Sequence, residues 1–400
     1  MKYIIVLGDG MADEPLPELG GLTPLQKANT PNMDFIAQNG RLGLVRTIPK
    51  GTHPSSDAAN LSVLGYDPKV YHTGRSPLEA ASIGINLSDN DITYRCNLVT
   101  IKDDIMMDHS SGEITSDEAR IIIADLIVEL GIADMPGVEL HMGTSYRHCL
   151  VLRNSLPGAI THPPHDFAGQ TFTDRFPSGQ HSELLNSLIK KSQAFLATHP
   201  INLTRARDGK GVANSIWLWG EGTAPTLTPF YEKYKKTGSV ISAVDLIKGI
   251  GLCAGLDIIK VQGATGTLNT NYAGKVSAAL DALKTQDFVY LHIEAPDECG
   301  HRGSIGEKIL AIEYIDQKVL TPILAELNKC NEPYSIMILP DHPTPISIRT
   351  HTDVPVPFAY YKSDGSVEAS GRCFDEASAS QTGDYLDKGH LLMGEFLREI

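Results

Sequence analysis

Tyr3-Ile4-Ile5-Val6-Leu7-Gly8-Asp9-Gly10 decides the reading of this chain. The apolar residues run without polar alternation, as in a strand buried on both faces of a parallel sheet. The run stops at a glycine, and an aspartate follows at once. Similar short runs recur at 216–219, 240–244 (broken by Ser242), 288–293 and 334–339. Between them lie helical patterns. Ile312, Ile315, Val319, Ile323 and Leu327 are spaced for one helix face within 307–327, and 275–283 and 385–397 read the same way. Strands alternating with helices predict an α/β fold with a mostly parallel sheet sandwiched by helices. In such sheets ligands collect at the carboxyl ends of strands. Asp9, Asp297 and Asp341 each fall just past such an end.

A chain of 400 residues exceeds the usual single core, so two domains are expected. The stretch 91–213 reads differently from its flanks. It has one strong helix at 116–130, with Thr115 and Glu118 placed as a capping box, and strand-like pieces at 95–101 and 148–153. A loop-rich stretch at 161–179 follows. We read 91–213 as a smaller inserted α+β cap domain. Residues 1–90 and 214–400 then form one discontinuous catalytic domain.

The net charge of −14 argues against nucleic-acid binding, which needs a basic footprint. The six cysteines are scattered without a C-x-x-C pair, which suits a reduced, cytoplasmic chain. The opening apolar run is too short for a signal segment or a membrane span. The partners expected are therefore small molecules, with no nucleic acid and no membrane. Oligomeric state has no signature in the sequence.

The chemistry-bearing residues are Asp9, Ser56, Asp297, His301, Asp341, His342 and His351. Ser56 follows Thr52-His53-Pro54-Ser55 and precedes a helical pattern, which puts it at or near a helix N-terminus, where free N–H groups favour phosphate. Asp297 and His301 are four apart. Asp341 and His342 are adjacent, so their side chains diverge and can serve different ions. Asp and His without cysteine favour Mn²⁺, Zn²⁺ or Mg²⁺ over a structural zinc site. Such a set, with one serine, suits two-metal phosphoryl transfer. Candidates for binding an anionic substrate are Arg75, Arg147, Arg205, Arg207, Lys210 and Lys248, joined by His165 and Asp166 of the loop-rich stretch. Trp217 and Trp219 read as core.

These motifs carry a resemblance over nearly the full length. Gly8-Asp9-Gly10, Pro54-Ser55-Ser56-Asp57, Leu64-Gly65-Tyr66-Asp67-Pro68 and Thr73-Gly74-Arg75 come first. Gly263-Ala264-Thr265-Gly266, Asp297…His301, Asp341-His342-Pro343-Thr344-Pro345, His351 and Val354-Pro355-Val356-Pro357 follow in order. In these the chain resembles the cofactor-independent phosphoglycerate mutases of the archaeal type, within the alkaline phosphatase superfamily. The resemblance implies an alkaline-phosphatase-like fold and Ser56 as a nucleophile that becomes phosphoserine. It implies two divalent ions, Mn²⁺ first among them. Asp9, Asp341, His342 and Ser56 would hold one, and Asp297, His301 and His351 the other. It further implies an inserted domain that closes over the site and excludes water. Two departures point elsewhere. The stretch Asp108-His109-Ser110-Ser111-Gly112-Glu113 has no arginine, and Trp219 stands where those mutases tend to carry one. In these, together with His292-Ile293-Glu294-Ala295-Pro296-Asp297, the chain looks closer to a bacterial branch proposed to act as homoserine kinase. The expectation is therefore 2-phosphoglycerate/3-phosphoglycerate interconversion. ATP-dependent phosphorylation of homoserine is the alternative, and phosphatase activity a third reading.

Overall fold

The computed structural model describes residues 1–330 and 332–398. It divides into two compact units, Met1–His72 with Thr226–Ile400, and Thr73–Pro225.

Among the described residues, the main unit builds an eight-stranded sheet. Its order is Asp257–Ile258, Gly238–Ile241, Phe288–Ile293, Lys2–Gly8, Tyr334–Leu339, Val356–Lys362, Arg41–Val45, Tyr385–Leu386. The first five strands run parallel, and only the pairings of Val356–Lys362 are antiparallel. In register, Val6 lies between Leu291 and Ile338. Helices cover both faces, as expected. Ile4, Val6, Val289, Leu291, Ile336 and Ile338 share one core with Ile312, Ile315, Val319 and Ile323 of the 305–327 helical segment. From the opposite face Tyr3 meets Phe396, and Phe288 stacks on Phe230.

The helix expected over 307–327 is helical throughout but changes pitch. Ile305–Tyr314 and Thr321–Leu327 are α, and Ile315–Leu320 between them is π. Asp316 lies in the widened stretch, fully buried, and accepts from the backbone N–H groups of Asn32 and Met33. It thereby satisfies the free N-terminus of the helix Pro31–Gln38. The helix read over 385–397 is not continuous. It becomes a short strand Tyr385–Leu386, a 3₁₀ turn Gly389–Leu391 and the helix Leu392–Phe396. A side chain at Gly389 would sit 2.4 Å from the Arg46 carbonyl, so this segment lies against a strand backbone rather than standing as a helix.

The second unit is a five-stranded antiparallel sheet around Ile92–Lys102, which pairs with Ile105–Asp108, Arg147–Leu152 and Ser215–Thr223. The run 216–219, read from sequence with the parallel strands, therefore belongs here. This unit starts earlier and ends later than 91–213 for two reasons. The helix Ser76–Ser82 is tied to the sheet by the Ser76 hydroxyl on the Thr93 carbonyl, and Ala80 packs on Cys149 and Val151. The strand Ser215–Thr223 is the sheet's own. The capping box at Thr115 and Glu118 is present, and opens the helix Ser116–Glu129. Trp217 and Trp219 are both buried in this unit's core. Among the described residues no helix is long and apolar enough to cross a membrane.

His148 lies in this core, nine-tenths or more out of water. Its Nδ1 accepts from the Gly143 N–H, and Nε2 has no partner. Burial, aided by Arg147, pushes its pKa down to about 3. Below the ordinary value near 6.5 the unfolded chain therefore takes up a proton that the folded chain refuses. Stability is lost as pH falls from there, by about 1.4 kcal/mol per unit. The chain's two tryptophans are both in this unit, so their fluorescence reports its unfolding. Urea melts at pH 7.5 and 5 should show the loss in wild type and a flatter profile in His148→Asn.

Candidate metal-dependent active site

Three adjacent parallel strands deliver the acidic residues. Asp9 follows Lys2–Gly8, Asp297 lies in the helix Ala295–Arg302 after Phe288–Ile293, and Asp341 follows Tyr334–Leu339. All three are buried. The turn after the first strand admits only glycine at position 10. Its φ is +60°, and a Cβ would lie 2.5 Å from Asp297 Oδ1 and 2.7 Å from Asp297 Cα.

Each carboxylate has a different environment. Asp341 is the best satisfied. Its Oδ1 accepts from the N–H groups of Gly10 (3.1 Å) and His342 (2.9 Å), and its Oδ2 from Asn60 Nδ2 (2.7 Å). Asp297 faces His301 Nε2 at 3.2 Å and His351 Nε2 at 3.3 Å, and accepts from the Thr344 hydroxyl. Burial opposes its charge, but the bonds from those two histidines and the charges of His351 and His342 hold its pKa well below the usual range. Asp9 is the reverse. Burial, then the charges of Asp341, Asp297 and Glu294, push its pKa well up, and its Oδ1 has no hydrogen-bond partner.

His301 and His351 confront each other with Nε2 atoms 3.0 Å apart. Ligands about 2.1 Å from a tetrahedral ion lie about 3.4 Å from one another, so these two nitrogens and Asp297 are spaced as donors around one ion. His301 Nδ1 donates to the Arg349 carbonyl (3.0 Å), which fixes the ring with Nε2 turned toward Asp297 and His351. Arg349 itself has φ 58°, an unusual value for a non-glycine residue, and so aims that carbonyl at a cost in backbone strain.

Ser56 is the first residue of the helix Ser56–Val63, with Ser55 as its N-cap. Its Oγ lies 3.1 Å from His342 Nε2. The Thr344 hydroxyl donates to Asp297, so its oxygen can accept from His342 Nδ1 (3.3 Å), which turns the bare Nε2 toward the serine. Asn60 supports this end. It donates to the Ser56 carbonyl and to Asp341, and accepts from the Tyr290 hydroxyl at 2.5 Å.

The donor atoms form three overlapping triads, each within 4.8 Å: Asp297/His301/His351, Asp9/Asp297/His342 and Asp9/His292/Asp341. The expected ligands are thus brought together. His292 was not expected, because it lies inside an apolar strand rather than past its end. The fit to divalent cations rests on the buried like-charged carboxylates and the unpartnered Asp9 Oδ1, which cations would relieve.

The proposed anion-binding residues divide. In the second unit Arg75 and Arg95 share Glu79, at 3.0 and 2.8 Å. The Arg95 guanidinium lies 4.2 Å over the Trp219 ring, and His165 packs edge-on against Trp219 and His109. Burial pushes the Arg95 pKa down to about 10, with Arg75 and Arg147 adding repulsion and Glu79 opposing it. Arg75, Arg95 and Arg147 therefore form one positive neighbourhood, and His165, whose pKa burial pushes down to about 4, packs beside it against Trp219. Sequence reasoning found Arg75, Arg147 and His165 but missed Arg95, whose strand position gave no sign. Asp166 is exposed, 3.6 Å from His165. Arg205 is buried on Glu118 and on the carbonyls of Ser111 and Gly211, a structural arrangement. Arg207 pairs loosely with Asp208, and Lys210 is exposed. Lys248, in the main unit, pairs with Asp245 at 2.6 Å.

A mostly parallel α/β sheet with carboxylates and imidazoles past its strand ends, and a serine at a helix start beside them, is an arrangement that suits metal-dependent phosphoryl transfer. Residues 37–202 match the family model of 2,3-bisphosphoglycerate-independent phosphoglycerate mutase. A Methanosarcina barkeri protein with that name is 52% identical over 396 residues, 98% of each chain. A Geobacter sulfurreducens protein named as a probable one is 50% identical over 397 residues, again 98% of each. A solved structure from Pyrococcus horikoshii superposes with a TM-score of 0.82 at 30% identity, covering 100% of this chain and 98% of that one. The cofactor-independent phosphoglycerate mutase of Thermoplasma acidophilum gives 0.64 at 26%, covering 99% of both. The chain belongs to the 2,3-bisphosphoglycerate-independent phosphoglycerate mutase family.

Behind the cluster sits a buried lysine. Lys308 is fully buried and donates to Asp13 Oδ2 (2.7 Å) and to the carbonyls of Ala12 (3.2 Å) and Thr344 (2.8 Å). It ties the segment after Asp9 to the segment after Asp341. Lys308→Met would leave Asp13 buried and unpaired, at a cost of about 3–5 kcal/mol. Denaturation of the metal-free protein followed by circular dichroism should show that loss. The double variant Lys308→Met/Asp13→Asn should recover part of it.

Proposed function

We propose that the chain interconverts 2-phosphoglycerate and 3-phosphoglycerate through a phosphoserine at Ser56. The observation that carries this is the Ser56 hydroxyl, 3.1 Å from His342 Nε2 at the edge of a buried Asp/His cluster. We assign Asp9, Asp341, His342 and Ser56 to one divalent ion and Asp297, His301 and His351 to a second. Carboxylate and imidazole donors without thiolate suit Mn²⁺, Zn²⁺ or Mg²⁺, and the family resemblance puts Mn²⁺ first. When bound, such ions neutralise phosphoryl oxygens and lower the pKa of a hydroxyl they touch.

The rest of the work falls to the chain. Ser56 Oγ attacks phosphorus and loses its proton. The bond from phosphorus to the glycerate oxygen breaks, and that oxygen takes up a proton. The glycerate then presents its other hydroxyl, which attacks the phosphoserine and frees Ser56. No phosphate is gained or lost over the cycle. The start of the helix Ser56–Val63 would offer its free N–H groups to a phosphoryl group on Ser56. Arg75, Arg95 and Arg147 of the second unit are our candidates for recognising an anionic group. Arg75, Arg95 and Arg147 stand on elements other than 108–113, so a lack of arginine in that stretch does not by itself favour a homoserine kinase. The relatives' names give that alternative no support either. Six free cysteines suit the reducing cytoplasm.

Ser56→Ala should reduce interconversion, followed by phosphorus NMR, by at least about 10⁴-fold while the Asp and His ligands still retain metal. Arg147→Met should raise KM for phosphoglycerate by about 10–100-fold. A parallel sample with ATP and homoserine should stay unchanged. Phosphohomoserine there, with no phosphoglycerate interconversion, would overturn the mutase reading.

A further inference from the structure

His292 has no part in the mechanism above, yet it is placed as a ligand. It sits in the strand Phe288–Ile293, entirely out of water. It is in register with Leu7 of the neighbouring strand, and side chains two apart share a face of a strand, so His292 emerges on the face that Asp9 extends. Its Nε2 lies 3.0 Å from Asp9 Oδ2, but no aligned hydrogen bond joins them, and Nε2 has no other partner. Asp9 Oδ1 is likewise without one and faces His342 Nε2 at 3.5 Å. Two buried polar atoms without hydrogen bonds in one place are costly unless something outside the chain satisfies both. The two oxygens of Asp9 thus look toward two different imidazoles, as in a carboxylate shared between cation positions.

The far side of the ring is fixed. Nδ1 lies 3.3 Å from Ser242 Oγ, which accepts from the Val244 N–H at 3.0 Å. Ser242 Oγ still has a lone pair for Nδ1–H, the tautomer that leaves Nε2 bare. Metal-bound histidines are held this way through the nitrogen that does not bind. Lys275 Nζ, buried, donates to the His292 carbonyl at 3.0 Å and steadies the strand at that point. Donor atoms of Asp9, His292 and Asp341 all lie within 4.8 Å of one another.

We propose that His292 is a metal ligand that holds a divalent cation together with Asp9 and Asp341. The proposal rests on the metal-dependent reading above and adds a ligand to it. The competing account makes His292 only a hydrogen-bond donor that orients Asp9. Glutamine can donate that bond but is a poor ligand, so His292→Gln and His292→Ala separate the two.

The test is calorimetric titration of Mn²⁺ into chelator-stripped wild type and both variants. Loss of an outer partner of a ligand costs about 10–100-fold in affinity, so loss of the ligand should cost at least about 100-fold at one position. The expected result is that loss in both variants, with the remaining binding unchanged. Wild-type binding in His292→Gln, or in both variants, would overturn the proposal. Melting curves of the metal-free proteins establish that the variants fold. Should neither fold, histidine ring ¹⁵N resonances of wild type decide. His292 Nε2 moving with His301, His342 and His351 on Zn²⁺ addition supports the proposal, and a stationary His292 overturns it. Failure of the mutase reading looks different: wild type would bind metal, with or without His292, and leave phosphoglycerate unconverted.

Discussion

The structure depends on keeping three carboxylates, Asp9, Asp297 and Asp341, together and out of water at the ends of adjacent strands. Like charges at this range cannot all stay ionised in a low-dielectric interior without compensation. The chain compensates unequally. Asp341 takes backbone and amide donors, and Asp297 takes two imidazoles and a hydroxyl. Asp9 receives least and is pushed toward its neutral form. That inequality is what suits the site to cations rather than to a closed hydrogen-bond network.

Other features serve the same constraint. Gly10 is the residue that lets the first turn pass within contact of Asp297. Lys308 balances Asp13 and joins the two loops that carry Asp9 and Asp341. Arg349 accepts an unusual backbone angle, and its carbonyl holds His301. The second unit gathers Arg95, Trp219, His165 and His109 against one another.

How much of this was legible depended on where each residue sat relative to a strand end. Asp9, Asp297 and Asp341 follow apolar runs, so a break in pattern announced them. His292 lies within a run, where one histidine among Phe288, Val289, Leu291 and Ile293 changes no pattern. Lys308 was silent too, because a lysine on a helix reads as solvent-facing until its partner Asp13, nearly three hundred residues away, is placed beside it. Arg95 was hidden in the same way, on a strand whose alternation shows only that it is half of a pair of faces. Domain limits were displaced because sequence composition shifts at 91 and 214. The contacts that decide membership, Ser76 on Thr93 and the pairing of Ser215–Thr223, lie outside those limits.

The central claim is that this buried carboxylate cluster works as a cation-dependent mutase site. The most direct measurement is phosphorus NMR of chelator-stripped protein with 3-phosphoglycerate, before and after Mn²⁺ is added. The account predicts no reaction at first. After addition, 2-phosphoglycerate should appear until the two isomers stop changing, with no inorganic phosphate. Interconversion that proceeds without any divalent ion, or release of phosphate in place of the second isomer, would contradict it.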